Sequence, residues 1–398
     1  MTEFRLAIGV EARLAIGSQW DALYARSGCV APSMTGAALR AFFDHRLRRG
    51  RRAVVLLATE AGVLVGGLAL VASERSWRLR HPQAWAVGDI EAHPADVLLD
   101  PHASPALLGD MLAFLFASDR PLFSVALRRV LDASPVLALP VGHHAFRRRI
   151  QGGRRGSYLE VPRDADALMA SLSGNFRKNL RKQSARLAEL PEVSWQFLRA
   201  DQCRPHHLEA LFALEAAGWK GRDRTAIACS ARDTRYYRDL AAGLAESGYL
   251  ELHFLRSQDT VLAAQLAVRV GDTLTLLKIA YNEDYAAIAP GNMLLLELLR
   301  RESASQESRL IDCVTDMPWH ANWKMATRDY RTVVVYPRRF VPTVCGLVPE
   351  LAGDVLRRSP TVRSLLRAVQ RAMQRAMQRA MRRETRTAAH PSASVSAP

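Results

Sequence analysis

The chain has 398 residues and a mass of 44.2 kDa, with 49% hydrophobic and 24% charged residues. It is too long for one ordinary core at roughly 100–200 residues per domain, and too apolar for a collagen, a disulfide-stapled miniprotein or a disordered chain. The formal charge of +16 is uneven: residues 338–398 hold 12 arginines against Glu350, Asp354 and Glu384. Two packed domains followed by a basic tail are expected.

Lys178, Lys182, Lys220, Lys278 and Lys324 are the only lysines among 55 basic residues, so arginine position carries more information than arginine number. Cys29, Cys203, Cys229, Cys313 and Cys345 form no CxxC pair and are odd in number, which points to reduced thiols in a cytoplasmic protein. His143-His144 and His206-His207 are adjacent pairs whose side chains are expected to diverge, and no metal is expected at either. The N-terminal MTEFRLAIGVEARLAIG has no basic stretch followed by an apolar one, so no signal peptide is expected. Residues 53–72 are apolar enough to suggest a membrane span, but Glu60 and Gly62 at the centre make a turn between two buried strands the better reading.

In chain order, a strand is expected at Phe4–Val10, then a helix with Trp20, Leu23 and Tyr24 on one face and a second near Ala37–Leu47. After the hairpin come a strand at Asp96–Leu99, a helix from Ser104-Pro105 to about Phe116, and a strand at Phe123–Leu127. His143–Gly156, HHAFRRRIQGGRRG, reads as an exposed loop or the lining of an anionic site, and a domain boundary is placed there. Asp164-Ala165-Asp166 offers N-caps for a helix carrying Leu168, Met169 and Leu172. Asn175–Leu190 follows, with Phe176, Leu180 and Leu187 on one stripe and Arg177/Arg181 and Lys178/Lys182 on others, either a solvated face or a wall toward phosphates.

Further on, the pattern predicts a strand at Val193–Leu198, helices at Pro205–Gly218 and Asp233–Ser247, and a strand at Tyr249–Leu255 alternating in and out. Val261–Val270 and Thr273–Asn282 flank Gly271-Asp272, the clearest hairpin in the chain. A helix from Pro290-Gly291 to about Arg300, a buried strand at Arg309–Val314 and a strand at Arg331–Tyr336 complete an α+β pattern. Beyond residue 340 come a helix at Val355–Gln370 and the repeat QRAMQRAMQRAMRR at Gln370–Arg383, a basic helical tail with a disordered end.

No GxSxG, HExxH, Walker A or Rossmann glycine pattern occurs, which excludes the commonest hydrolase, metalloprotease, kinase and dehydrogenase chemistries. The strand, polar loop and helix start in LTLLKIAYNEDYAAIAPGNM at 274–293 place the N–H groups of Gly291, Asn292 and Met293 at a helix N-terminus, a ready anion site.

The succession SLSGNFRKNLRK (171–182), LEAAGWKGRDRTAI (214–227), APGNML (289–294) and IDCVTDMPWHANWK (311–324) resembles the CelD-like branch of the GNAT acyltransferase superfamily, related to the Fem-type aminoacyl transferases. The resemblance implies tandem GNAT-like domains with mixed, mostly antiparallel sheets, divided at 1–155 and 156–340, with the tail at 341–398. It implies an acyl-CoA co-substrate and no metal, with the donor held by Ile279, Tyr281, Pro290, Gly291, Asn292 and Met293. Arg177, Arg181, Trp219, Lys220 and Lys324 become substrate-binding candidates. The usual Q/R-x-x-G-x-G/A phosphate loop is reduced to Gly291.

Attack of an amine or hydroxyl on a thioester passes through an oxyanion and needs a base; the candidates are Glu215, Asp312, Asp316 and His320, with Glu215 first. The expected function is N- or O-acyl transfer to a sugar, an amino acid or an envelope or exopolysaccharide precursor, in the cytoplasm or at the inner membrane face. The alternatives are an aminoacyl-tRNA donor, and a non-catalytic module docking on nucleic acid or lipid. The basic tail suits tRNA or an anionic membrane surface.

Overall fold

The computed structural model describes residues 1–73, 83–86, 94–118, 122–348 and 350–352. The tail helix and repeat expected at 355–383 lie outside them. Met1–Arg338 form one compact unit and Arg339–Pro398 a second, whose described part includes short helical turns between Phe340 and Leu347.

The first unit begins with β1 (Thr2–Ile8), α1 (Val10–Leu14), α2 (Ser18–Arg26) and α3 (Gly36–His45). There follow β2 (Arg51–Glu60), β3 (Val63–Ser73), β4 (Gln83–Ala86), β5 (Leu98–Leu99), α4 (Leu107–Ala117), β6 (Ser124–Val130) and β7 (Phe146–Glu160). The chain continues through α5 (Ala165–Ser171), α6 (Gly174–Ala188), β8 (Val193–Arg199), α7 (Pro205–Ala217), α8 (Trp219–Arg222) and α9 (Ala231–Glu246). It closes with β9 (Leu250–Ser257), β10 (Thr260–Val270), β11 (Thr273–Tyr281), α10 (Pro290–Ser305), β12 (Leu310–Asp312) and β13 (Ala326–Pro337).

The strands form one sheet in the order β1-β2-β3-β4-β6-β13-β7-β12-β11-β10-β9-β8, with β5 beside β3. The order repeats about the β13/β7 pair. Each half runs antiparallel over four strands, β1 to β4 and β8 to β11, and then adds a parallel strand, β6 beside β4 and β12 beside β11. Three helices separate the first two strands of each half, and one helix, α4 or α10, leads into the parallel strand. Two copies of one topology therefore share a sheet: a tandem α+β arrangement of the GNAT type.

The halves also share a core. Trp20, Leu39 and Phe42 pack in the same buried cluster as Leu211, Tyr237 and Phe254. Helices α3 and α9 approach closely because Gly243 lacks a side chain: a Cβ there would stand 2.8 Å from that of Ala37.

The hairpin expected at 53–72 is β2/β3, turning at Ala61 and Gly62, both at positive φ. Other expectations need correction. The supposed loop at 143–156 is mostly β7, a 15-residue strand paired with β12 and β13, and the boundary at 155/156 falls inside it. Its glycines allow close approach rather than a turn, since a Cβ on Gly156 would lie 2.5 Å from the Tyr330 hydroxyl and Gly153 packs on the Tyr330 backbone. Strand β9 is buried along nearly its whole length instead of alternating, because helices cover both faces. The histidine pairs do not diverge: ring centroids lie 4.0 Å apart in both.

Helix α10, which carries the phosphate-loop residues, is fastened at both ends. At its first turn Trp323 Nε1 donates to Asn292 Oδ1 at 3.2 Å, and Phe176 of α6 meets Trp323 edge-on at 5.2 Å. Toward its end Glu302 takes two bonds from Arg269, at 2.7 and 3.0 Å. Arg269 also holds Glu251 at 2.5 Å, and Glu251 bonds the fully buried His253 at 3.0 Å. This charged cluster ties α10 to β9 and β10.

Candidate active site

Strands β11 and β12 pair only over Thr273–Thr275 and Leu310–Asp312. There β12 ends, while β11 runs on to Tyr281 with β10 on one side alone. The β10/β11 register slips between Leu266 and Ala267, leaving Leu277 as an extra residue, and such a bulge increases the local twist. The Ile279 carbonyl faces away from β10, since it accepts from Lys220 Nζ at 3.0 Å. Within an antiparallel ladder a residue's N–H and C=O point the same way, so the Ile279 and Tyr281 amides face this open edge. Ile279 and Tyr281 are 40% and 41% exposed beside Trp219 at 48%, an apolar lip along an edge that no strand covers.

The N-terminus of α10 lies at the end of that edge, after a short helical turn at Glu283–Ile288. Ala289 takes the left-handed conformation (φ 46°) and Pro290 opens the helix. The expectation of three orphan N–H groups is corrected here. Asn292 and Met293 both donate to the Ala289 carbonyl, at 2.9 and 3.1 Å, leaving Gly291 as the open donor of the three. Met293 and Pro290 are buried, whereas a Cβ on Gly291 would meet nothing within 4 Å.

Glu215 sits on the inner side of α7 with its side chain 2% exposed. Its Oε1 accepts from Lys220 Nζ at 2.8 Å and its Oε2 from the Ile227 N–H at 2.8 Å. Both oxygens are occupied, so this carboxylate aims Lys220 at β11 and is not a free base. The Trp219 N–H and the Arg222 guanidinium bind the two oxygens of Glu283 at 2.7 and 2.6 Å, fastening the same segment to the turn after β11. Arg222, and then the Trp219 amide, hold the Glu283 carboxyl below the usual range.

The segment after β12 joins β7 to α10. Asp312 is buried; its Oδ1 accepts from the Val314 N–H at 2.7 Å and its Oδ2 lies 2.9 Å from Arg328. Burial raises its carboxyl above the ordinary value against the pull of Arg328. Asp316 is exposed, with Oδ1 accepting from the buried Ser157 hydroxyl at 2.8 Å. His320 is buried; its Nδ1 accepts from the Met317 N–H at 3.2 Å, so the neutral ring carries its proton on Nε2. Burial lowers its imidazole, opposed by Asp316. Burial, reinforced by Asp312, pushes the Cys313 thiol up to about 12, which removes it as a nucleophile.

On α6, Arg177 donates to the Ala170 carbonyl, while Lys178 and Lys182 are exposed opposite Leu180 and Leu187, and Arg181 is exposed on the flank. Lys324, at φ 53°, is exposed at the end of the turn containing Trp323. Arg328, Ser157, Glu283 and Trp323 were not singled out from sequence. Trp323 lies inside the quoted 311–324 segment, and its bond to Asn292, 31 residues earlier, had no local signal. Among the described residues, no group of three or more His, Cys, Asp or Glu could hold a metal ion, and no helix is long and apolar enough to cross a membrane.

With this geometry in place, the chain can be compared with known proteins. Residues 174–325 match the model of an acetyltransferase (GNAT) domain. The structure is similar to that of FemX, at 11% identity, covering 83% of this chain and 97% of that one with a TM-score of 0.56. It is also similar to a conserved protein of unknown function from Bacteroides thetaiotaomicron, at 11% identity, 84% and 100% coverage and a TM-score of 0.50. A tandem GNAT protein from the clavulanic acid biosynthesis pathway matches at 15% identity, 84% and 98% coverage, and a TM-score of 0.42. No curated protein matches the sequence.

Proposed function

We propose that the chain is an acyl-CoA-dependent N- or O-acyltransferase of the CelD-like branch, acting on a sugar, an amino acid or an envelope precursor on the cytoplasmic side of the membrane. The observation that carries the reading is the β11 edge, uncovered by any strand beyond Thr275, running into the α10 N-terminus. An extended donor arm with amide groups can add to such an edge as an extra strand, its bonds made by backbone and its apolar parts covered by Ile279, Tyr281 and Trp219. Phosphates at its far end would meet the Gly291 N–H and the positive end of the α10 dipole.

The acceptor's amine or hydroxyl attacks the thioester carbonyl, and the thiolate leaves readily, so the protein must stabilise the oxyanion and remove a proton. Asp316 is suited to removing the proton, because it is exposed and Ser157 holds one oxygen while the other has no hydrogen-bond partner among the described residues. Glu215, with both oxygens engaged, is not.

The test is a thermal-shift series with acetyl-CoA, longer acyl-CoAs and free CoA, followed by release of free thiol with a panel of amines and sugars. A ligand at 100 times its dissociation constant adds ~2.7 kcal/mol to folding, a shift easily seen. No shift at millimolar donor rejects the acyl-CoA assignment. The occupied Asn292 and Met293 amides favour one second reading, an aminoacyl-tRNA donor held through the cationic face of α6, and retention of the chain by aminoacyl-tRNA in place of CoA would select it.

A further inference from the structure

We infer that Lys220 is a catalytic residue of the acyl transfer: its ammonium holds the donor's carbonyl oxygen as that oxygen becomes negative, and Glu215 is the residue that positions it. The inference rests on the donor reading above and names the group that takes up the transition-state charge.

An ammonium has three N–H donors. Lys220 spends one on Glu215 Oε1 at 2.8 Å and one on the Ile279 carbonyl at 3.0 Å. Its side chain is 23% exposed and Nζ lies on the β11 edge, so one of its donors is left over from these two bonds at the edge a donor arm would join. The placement is built. Glu215 cannot swing away, because Ile227 holds its other oxygen at 2.8 Å. Gly221 lies so close to the Ala216 carbonyl that no side chain fits, which folds the Lys220 segment back onto α7. Glu283 then bolts Trp219 and Arg222 to the turn beyond β11, and the Trp219 ring centroid stands 6.0 Å from Nζ, an apolar wall beside the charge. A buried carboxylate–ammonium pair adds little net stability over a well-packed apolar pair. Its retention at this edge is accounted for by the orientation it imposes.

In the step itself the acceptor's lone pair forms a bond to the thioester carbon, and the carbonyl π pair moves onto oxygen, where the third N–H of Lys220 meets it. When C=O reforms, the C–S bond breaks and its pair leaves on sulfur as thiolate. The proton lost by the acceptor passes to a carboxylate, Asp316 in the reading above, and from there to solvent or the thiolate.

The experiment compares the unaltered chain with Lys220→Met, Lys220→Arg, Glu215→Gln and the Glu215→Gln/Lys220→Met double variant. Acetyl-CoA binding is read by thermal shift and turnover by free thiol, with water as acceptor where no amine serves. Lys220→Met should lower kcat by ~10²–10³-fold, the cost of one lost oxyanion donor. The KM for acetyl-CoA should stay within about threefold, and Lys220→Arg should restore part of the rate. Glu215→Gln should lower kcat as well, and the double variant should fall no further than Lys220→Met, because Glu215 acts through the lysine. Turnover of Lys220→Met within about threefold of the unaltered chain overturns the inference, as does a double variant as low as the product of the singles. If the unaltered chain does not bind acetyl-CoA, the donor reading fails and this inference with it; if it binds and Lys220→Met turns over normally, only this inference fails.

Discussion

Replacing Arg269 by methionine would leave Glu251 and Glu302 facing each other with their shared guanidinium gone. The Arg269 side chain is 14% exposed, and the two carboxylates only 8% and 6%. Removing one partner from a buried charge cluster costs about 3–5 kcal/mol, because the carboxylates left behind have been stripped of water and keep only neutral partners or a histidine, His253 for Glu251 and the Ser308 amide for Glu302. The pH dependence makes the claim sharper. In the intact chain burial raises the Glu251 carboxyl, but His253 and Arg269 outweigh it and bring it from 4.5 to about 2, and Glu302 is lowered, against its own burial, by Arg269 and Ser308. Glu251 therefore contributes stability that is complete above the ordinary carboxylate range and is lost as pH falls from about 4.5 toward about 2, and Glu302, also lowered, contributes stability that is lost in the same direction. In Arg269→Met the folded-state values rise instead, so protonation relieves the defect. Urea unfolding followed by tryptophan fluorescence should show a penalty of about 3–5 kcal/mol at pH 8 that shrinks by pH 5. A penalty below about 1 kcal/mol, or one equal at the two pH values, refutes the reasoning. Replacing all three, Glu251→Leu/Arg269→Met/Glu302→Leu, should recover most of the loss.

Trp323→Ala removes a fully buried ring, the bond to Asn292 and the contact with Phe176; it should cost about 3–5 kcal/mol by denaturant unfolding and loosen the first turn of α10 enough to weaken acyl-CoA binding. Gly243→Val should destabilise by about 1–3 kcal/mol by pushing α9 off α3, and Ala37→Gly should restore much of it; no rescue would mean that the two helices do not meet at these residues. Burial raises the Asp96 carboxyl to about 6 against bonds from Ser134 and Val97, so stability should rise as pH falls from about 6 to about 4 and Asp96→Asn should flatten that slope in melts from pH 4 to 8. Gly291→Val, with open space around it, should leave the melting temperature nearly unchanged while raising the KM for the donor; an unchanged KM would place the phosphates elsewhere.

Local chemistry was enough for much of the fold. The turns at Ala61-Gly62 and Gly271-Asp272, the proline at the start of α10, and the stripe of Phe176, Leu180 and Leu187 act within a few residues of themselves, so strands, helix starts and faces follow from them. The resemblance spread over 171–324 led to the GNAT fold for the same reason: its motifs are short and ordered along the chain. Pairings between distant residues were not legible. Gly153 and Gly156 read as loop because the Tyr330 contact they accommodate comes from a strand more than 170 residues later. Glu215 read as a free carboxylate because nothing in LEAAGWK shows that its second oxygen is taken by Ile227. The α10 N-terminus read as three open donors because the left-handed turn at Ala289, which bends its carbonyl back to Asn292 and Met293, follows from how the preceding turn packs. Residue order determined most of the elements, β7 excepted, and the family they resemble. Only the tertiary structure decided which polar atoms remain available for chemistry, since a hydrogen bond between distant segments depends on distances that no local pattern encodes.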